Sequence, residues 1–352
     1  MAETYCVKKM KILIIGGTKF LGRHLLNAAL NNDHEVTLFN RGKKYADEEI
    51  ADVEQLHGDR HFDLEKLGGK TWDAVIDTCG YLPQTVKASA EFLSDKVGQY
   101  VFISSGSVYS DTRKPDYDET TETAKLSEEQ IEKFENIDLN QELNGLVLGE
   151  SYGALKVLCE QAAESAMPNR VLNVRAGMIV GAFDWTDRFS FWVMRVAQGG
   201  KVLAPGTPEN FVQLIDARDL SEWIIGMIEK SESGIFNVTS KPFELTFGKM
   251  LDVIKTATGR DAEFVWADEK FLSENEVAPW SEMPFYLPAS DENLKNFLTM
   301  NVDKALAKDL IFRPLSETVL ETLNWRKARN FEMKAGISAE REKELLEKLH
   351  KQ

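Results

Sequence analysis

The sequence predicts an α/β fold: a doubly wound, mainly parallel sheet with a smaller C-terminal domain. Three observations predict it. Short apolar runs alternate with helical stretches through the first half of the chain, the pattern of a parallel sheet covered on both faces. The first apolar run passes straight into a glycine-rich turn and then a helix. After Gly181 the alternation breaks and aromatic residues become frequent, which marks a second unit.

The elements follow in order. Lys11–Ile15 reads as a buried strand and 20–30 as a helix with Leu21, Leu25, Leu26 and Ala29 on one face. Strands are expected at 35–39, 53–57, 73–78 and 100–104, a helix at 151–166 and a sixth strand at 171–175. Beyond Gly181, a strand at 211–215, a helix at 219–229 and a strand at 235–238 are expected, and Ser338 with Glu340 and Glu342 opens a terminal helix. This divides the chain into residues 1–182 plus about 211–240, and a smaller unit of about 183–210 plus 241–352.

Composition excludes some function classes. The 352 residues are 43% hydrophobic, so the chain can bury a core. A net charge of -15 weighs against a broad phosphate-binding surface, and no nucleic-acid partner is expected. Cys6, Cys79 and Cys159 have neither metal spacing nor the even count of a disulfide framework. His24, His34, His57, His61 and His350 show no ligand pattern, so no metal is expected. His24 reads as a packing or surface residue. No apolar run reaches the length of a membrane span, which predicts a cytoplasmic protein with no membrane partner. The oligomeric state is left open.

Two motifs carry chemistry. Gly16, Gly17, Thr18, Lys19, Phe20, Leu21 and Gly22 join strand to helix. Backbone N–H groups and a helix N-terminus there suit a pyrophosphate, the Rossmann arrangement. Lys19 stands where a further glycine is usual, so its side chain must turn away from the phosphates or reach over them. The second strand ends in Asn40 and Arg41 rather than a carboxylate. A carboxylate there would accept from an NAD ribose and repel a 2′-phosphate. Asn40 is neutral and the Arg41 fork suits phosphate, with Lys19 and Lys43 adding charge. NADP(H) is therefore the favoured cofactor, with NAD(H) the alternative. The second motif is Tyr152-Gly153-Ala154-Leu155-Lys156, at the start of an apolar helix. Residues four apart share a helix face. The ammonium of Lys156 then favours the deprotonated phenol of Tyr152 and orients a ribose, while the phenol exchanges a proton with a carbonyl or alcohol. A serine from the run Ser104-Ser105-Gly106-Ser107 at the neighbouring strand end would hold the same substrate oxygen.

With these motifs the first ~240 residues resemble the extended short-chain dehydrogenase/reductase superfamily, the NAD-dependent epimerase/dehydratase family. The resemblance rests on 16–22, Gly58-Asp59, the Ser-Ser-x-x-Val-Tyr run at 104–109, Tyr152 with Lys156, 175–181 and 216–220. It implies Ser105 as the catalytic serine, with Ser107 as runner-up. It also implies Asp59 near an adenine, with Arg60 beside it, and Thr78, Cys79 and Gly80 beside the cofactor. The run Leu38-Phe39-Asn40-Arg41-Gly42 points to a bacterial branch that is also similar to chloroplast stem-loop RNA-binding proteins. The implied activity is NAD(P)-dependent reduction, or epimerisation through a transient ketone, of a small-molecule substrate. Sugar or sugar-nucleotide epimerase/dehydratase activity is one alternative and a non-catalytic binding protein the other. Sugar-nucleotide epimerases carry a phosphate-binding arginine where this chain has Val212, which counts against a nucleotide sugar.

Two further features are candidates. Phe183, Trp185, Phe189 and Trp192 suit either a pocket wall or an interdomain core, and Trp280, Phe285 and Tyr286 form a second candidate wall. Residues 111–150 hold 12 acidic and 4 basic residues, with a helix near 127–134. This stretch reads as a solvated insertion or as a lid over the site.

Overall fold

The computed structural model describes residues 8–42, 52–139, 141, 143–329 and 331–351. Lys43 and Cys6 lie outside the described residues.

The chain begins with β1 (Lys11–Ile15), α1 (Phe20–Asn31), β2 (Glu35–Asn40), β3 (Glu54–His57), β4 (Trp72–Asp77), α2 (Pro83–Leu93) and β5 (Val97–Ile103). The acidic stretch carries α3 (Glu128–Glu135) and α4 (Gly145–Leu148). Then come α5 (Tyr152–Ala166), β6 (Val171–Ala176), β7 (Met178–Val180), α6 (Arg188–Gln198), β8 (Gly200–Pro205), β9 (Leu214–Asp216), α7 (Ala217–Glu229) and β10 (Gly234–Val238). The chain ends with α8 (Phe247–Thr258), β11 (Ala262–Ala267), α9 (Glu269–Glu274), α10 (Asp303–Leu306), α11 (Leu315–Lys327) and α12 (Ala339–Leu349).

Seven strands form one parallel sheet in the order β10-β6-β5-β4-β1-β2-β3. Side chains alternate across it, as a pleat requires. Ile12 and Ile14 face a core shared with Leu25 and Ala29 of α1 and Ile224 and Ile228 of α7. Leu13 and Ile15 face the opposite core, with Val86 and Ala90 of α2 and Cys159 and Ala163 of α5. Burial on both faces is what makes these strands continuous apolar runs. The expected α/β, doubly wound architecture is the one observed.

A third core holds the rest: Phe189 and Trp192 of α6, Val202 and Ala204 of β8, Phe247 and Met250 of α8, Phe271 of α9, and Met283 with Phe285. It also takes Val212 and Leu214, whereas Ile215 and Ala217 pack in the first core, so the chain crosses between units near 214–215.

The strand expected at 211–215 is shorter and starts later. Phe211 makes only an isolated antiparallel bridge to Thr246, and the Val212 N–H donates to the Leu245 carbonyl at 3.0 Å, outside any strand ladder. Phe211 stacks instead on Phe243, ring centroids 5.2 Å apart. The helices at 127–134 and 338 onward start where capping predicts. Ser127 and Gln130 form a reciprocal capping box, and the Ser338 side chain accepts from the Arg341 N–H.

Candidate active site

The C-terminal ends of β1, β2, β4 and β5 open into a cleft of about 1330 Å³ between the parallel sheet and the C-terminal unit. This is where ligands bind in open α/β sheets. Of the catalytic and cofactor-binding residues expected from the sequence, Gly16, Gly17, Thr18, Lys19, Phe20, Leu21, Gly22, Asn40, Arg41, Asp59, Arg60, Thr78, Cys79, Ser105, Tyr152 and Lys156 line it, whereas Gly80 and the runner-up Ser107 do not.

The glycine turn is fixed by packing. Gly16 has φ of +99°, and a Cβ there would collide with the Thr78 hydroxyl, so only glycine fits. Its N–H donates to the Phe39 carbonyl at 2.8 Å. Lys19 is the extended residue that precedes α1, and its side chain reaches the cleft. Asn40 Oδ1 accepts from the Gly42 N–H at 2.8 Å, which fixes the side chain. Asn40 Nδ2 is buried with no hydrogen-bond partner among the described residues.

Under the turn lies a buried ion pair. Arg60 forks onto Asp77 at 2.5 and 2.7 Å and also donates to Ser89. The Tyr100 hydroxyl and the Cys79 N–H complete the Asp77 shell. Burial alone would push the Asp77 carboxyl up, but these partners outweigh it and hold it below the usual carboxylate range. Arg60 therefore lines the cleft with both terminal nitrogens already committed and Nε without a partner among the described residues. Burial pushes the Cys79 thiol up.

The Ser105–Tyr152–Lys156 group is assembled by close backbone contact. After β5, Ser105 caps one turn of 3₁₀ helix, and its Oγ accepts from the Ser107 N–H at 3.1 Å. Gly153, the second residue of α5, lies against the Ser107 carbonyl with no room for a Cβ. The glycine lets α5 press on the strand end, which brings Tyr152 to the same mouth as Ser105. One turn further on, Lys156 is buried and its Nζ donates to the carbonyls of Gly80 (2.8 Å) and Ile103 (2.6 Å). Gly80 thus serves the site by holding the lysine rather than by lining the cleft. A second turn on, Glu160 accepts from Ser104 at 2.5 Å and forms an ion pair with Arg175 at 2.8 Å. Arg175 also donates to the Tyr109 hydroxyl. This network ties α5 to β5 and β6.

The two aromatic candidate sets divide by location. Phe183 and Trp185 line the cleft, whereas Phe189, Trp192, Phe285 and Tyr286 belong to the third core. The indole N–H of Trp192 donates to the Pro284 carbonyl at 2.9 Å, which satisfies the ring inside apolar packing. His24 is buried, and its Nε2 donates to the Ala182 carbonyl at 3.0 Å. Among the described residues no three His, Cys, Asp or Glu form a metal-holding group, and no helix is long and apolar enough to cross a membrane.

The acidic stretch splits in two. Its first part is pinned to both units: the Asp116 N–H donates to the Thr299 carbonyl and the Tyr117 hydroxyl to the Phe297 carbonyl, while Glu119 accepts from the Asn237 N–H of β10. Its second part packs Phe134 and Leu148 on Leu82 and Leu155. Leu139, Gln141, Leu143 and Asn144 then face the cleft beside Tyr152.

Sequence reading missed several lining residues. Tyr81 stands with its ring centroid 6.5 Å from that of Tyr152, and burial pushes its phenol up. Its place directly after Thr78-Cys79-Gly80 was the available signal. Trp325, Arg329, Phe331 and Lys334 also line the cleft; no local motif marks them.

Residues 12–239 match the NAD dependent epimerase/dehydratase family. The chain is 26% identical over 311 residues to the chloroplast stem-loop binding protein of 41 kDa b of Arabidopsis thaliana, covering 82% of this chain and 74% of that protein. Two solved structures share the fold. UDP-glucuronic acid 4-epimerase from Bacillus cereus, in complex with NAD, matches at TM-score 0.62 and 15% identity, over 91% of this chain and 99% of that one. Human epimerase family protein SDR39U1, with NADPH, matches at TM-score 0.58 and 17% identity, over 90% of this chain and 99% of that one. With more than half of its length matched, the chain belongs to the NAD dependent epimerase/dehydratase family.

Proposed function

We propose that the protein is an NAD(P)-dependent oxidoreductase or epimerase acting at a secondary alcohol or carbonyl carbon. One juxtaposition carries the reading: the glycine turn, the Ser105 strand end and the Tyr152/Lys156 helix start open on one cleft. The cleft suits a dinucleotide. The backbone of the glycine turn, Gly16, Gly17 and Gly22, lines it, and Asn40 Nδ2 is an unspent donor where an adenosine ribose would lie. Among the described residues, lysine or arginine stands at six lining positions, one of them the Asp77-paired Arg60, and Asp59 is the acidic residue that lines it, in a chain of net charge -15. Such a lining favours an anionic occupant.

A bound nicotinamide supplies hydride exchange. Tyr152 then takes the proton of the substrate hydroxyl as the carbon loses hydride, and returns it in the reverse direction. Ser105 Oγ accepts from the Ser107 N–H, which leaves its own O–H to donate to the substrate oxygen. Lys156 spends two of its three N–H groups on Gly80 and Ile103, and the third serves a ribose hydroxyl. Asn40 and Arg41 favour NADP(H) over NAD(H). The occupant of the substrate end is a small molecule; the acidic balance weighs against the RNA ligand that the Arabidopsis relative's name describes.

The test is to release and identify any nucleotide from the purified protein, then titrate NAD and NADP. An epimerase retains its cofactor through the cycle, and a reductase exchanges it. A protein that carries no nucleotide and binds neither cofactor defeats the reading.

A further inference from the structure

A line of rings crosses the cleft from the glycine turn to the C-terminal unit. Phe20 meets His24 at 6.2 Å, His24 meets Phe183 at 5.6 Å, Phe183 meets Trp325 at 5.8 Å, and Trp325 meets Phe331 at 5.8 Å. Both bulky residues that begin and centre this line have positive φ, Phe20 at +31° and Phe183 at +67°. Backbone held there by surrounding packing is characteristic of ligand sites. Cations stack on these rings from both sides, Arg23 from the turn and Arg329 and Lys334 from the C-terminal unit. The Arg23 guanidinium lies 5.0 Å from the Phe183 ring centre and donates to the Thr18 carbonyl of the turn. The Arg329 guanidinium lies 5.7 Å from the same ring. Lys334 sits 5.4 Å over the Trp185 ring, and its backbone N–H is anchored on Asp187. Trp325 is nine-tenths buried, lines the cleft, and its indole N–H has no partner among the described residues.

We propose that Trp325, Arg329 and Lys334 form the second half of the dinucleotide site, gripping the pyrophosphate from the side opposite the glycine turn. The inference rests on the dinucleotide reading and assigns to cofactor binding a segment more than 300 residues from the motif that begins it. The glycine turn offers neutral N–H donors, whereas the opposite wall offers two full charges and an unspent indole N–H. Charge-assisted hydrogen bonds to phosphate are roughly twice as strong as neutral ones. The site therefore gains where the overall charge of the chain would otherwise repel a dianion.

Calorimetric titration of the full chain with ADP-ribose, NADP and AMP tests this. Arg329→Gln and Lys334→Gln should each weaken ADP-ribose and NADP by about tenfold, since ADP-ribose keeps the pyrophosphate and lacks the nicotinamide. AMP, without a pyrophosphate, should change by less than about twofold. Trp325→Phe keeps the ring and removes only the N–H, and should weaken ADP-ribose by a smaller factor with unchanged melting temperature. Unchanged ADP-ribose affinity with a raised substrate KM overturns the proposal, because the wall would then meet substrate. Equal losses for AMP and ADP-ribose overturn it as well. If the wild-type chain binds no ADP-ribose, the dinucleotide reading fails first, before any variant is compared.

Discussion

On the glycine-turn side of the cleft the buried charges are paired, whereas on the aromatic side they are starved of partners. Asp77 with Arg60 and Glu160 with Arg175 lie at 2.5 to 2.8 Å. There, attraction outweighs burial: the Asp77 carboxyl is held down, and the Arg60 and Arg175 guanidinium groups are held above their ordinary range. Across the cleft, Asp187 and Arg326 approach only to 3.6 Å. Burial pushes the Asp184 and Asp187 carboxyls up and the Arg188 and Arg326 guanidinium groups down. All four therefore move toward their neutral forms. The first wall pairs its buried charges, and its orphaned donors among the described residues are Asn40 Nδ2 and Arg60 Nε. The second keeps orphaned donors, including Trp325 Nε1 and Arg326 Nε and Nη1, and such sets cluster where a ligand or a functional constraint accounts for them.

The largest expected effect is on the paired wall. Tyr152→Phe retains the ring beside Tyr81 and removes the oxygen to which proton transfer is proposed. It should cut turnover by about a thousandfold, within the range for a general acid–base group. Cofactor affinity should stay within about twofold, since the phenol is spent on substrate. Single-turnover rates and equilibrium titration separate the two. A variant retaining most of its rate would remove Tyr152 from the chemistry.

The contrast between walls also explains what was legible in the sequence. The first wall is written in contiguous motifs, because a turn at a strand end must satisfy local backbone geometry: Gly16 below Thr78, Gly153 against Ser107. Periodicity located the strands because both faces of the sheet are buried. The second wall comes from 183–185 and from 325–334, which only tertiary packing brings together. Aromatic content alone could not divide Phe183 and Trp185, which face the cleft, from Phe189 and Trp192, which fill the core. Ring type reports apolar area, not which side of a helix meets solvent. The Arg60 side chain shows the same limit, since its commitment to Asp77 depends on a partner 17 residues away.

A second, intermediate effect would break the contrast at its unpaired side. Asp184 is buried, and its Oδ1 accepts from the Thr186 N–H and hydroxyl. Burial pushes its carboxyl up to about 6. The native state therefore binds a proton more tightly than the unfolded chain, so this group's stabilisation is full below pH ~4 and is lost as pH rises through ~6. Asp184→Asn keeps the acceptor for Thr186 and removes the titration. Relative to wild type, the variant should gain about 3 kcal/mol between pH 3 and pH 7, read from urea unfolding at each pH. A difference that does not vary with pH would mean that Asp184 is ionised in the fold and paired after all.

The smallest effect concerns the adenosine end of the paired wall. A dinucleotide fold that selects NAD places a carboxylate at the end of its second strand, where it accepts from the ribose 2′-hydroxyl. Here β2 ends in Asn40, whose Oδ1 is already taken by the Gly42 N–H and whose Nδ2 is left as a buried donor. Were a ribose bound beside it, that donor would suit an acceptor, and a 2′-phosphate is a stronger one than a hydroxyl. Arg41 lines the same end of the cleft, and its planar fork would add charge-assisted hydrogen bonds to a 2′-phosphate placed there. Arg41→Ala should therefore weaken NADP by about tenfold and NAD by less than about twofold, measured at one ionic strength. Asn40→Asp should shift preference the other way, since the new carboxylate repels the 2′-phosphate and accepts from the free hydroxyl. If NAD binds the wild-type chain as tightly as NADP, the preference is overturned. If Arg41→Ala weakens both cofactors equally, Arg41 acts by stacking on the adenine, and the charge argument at this end of the wall falls with it.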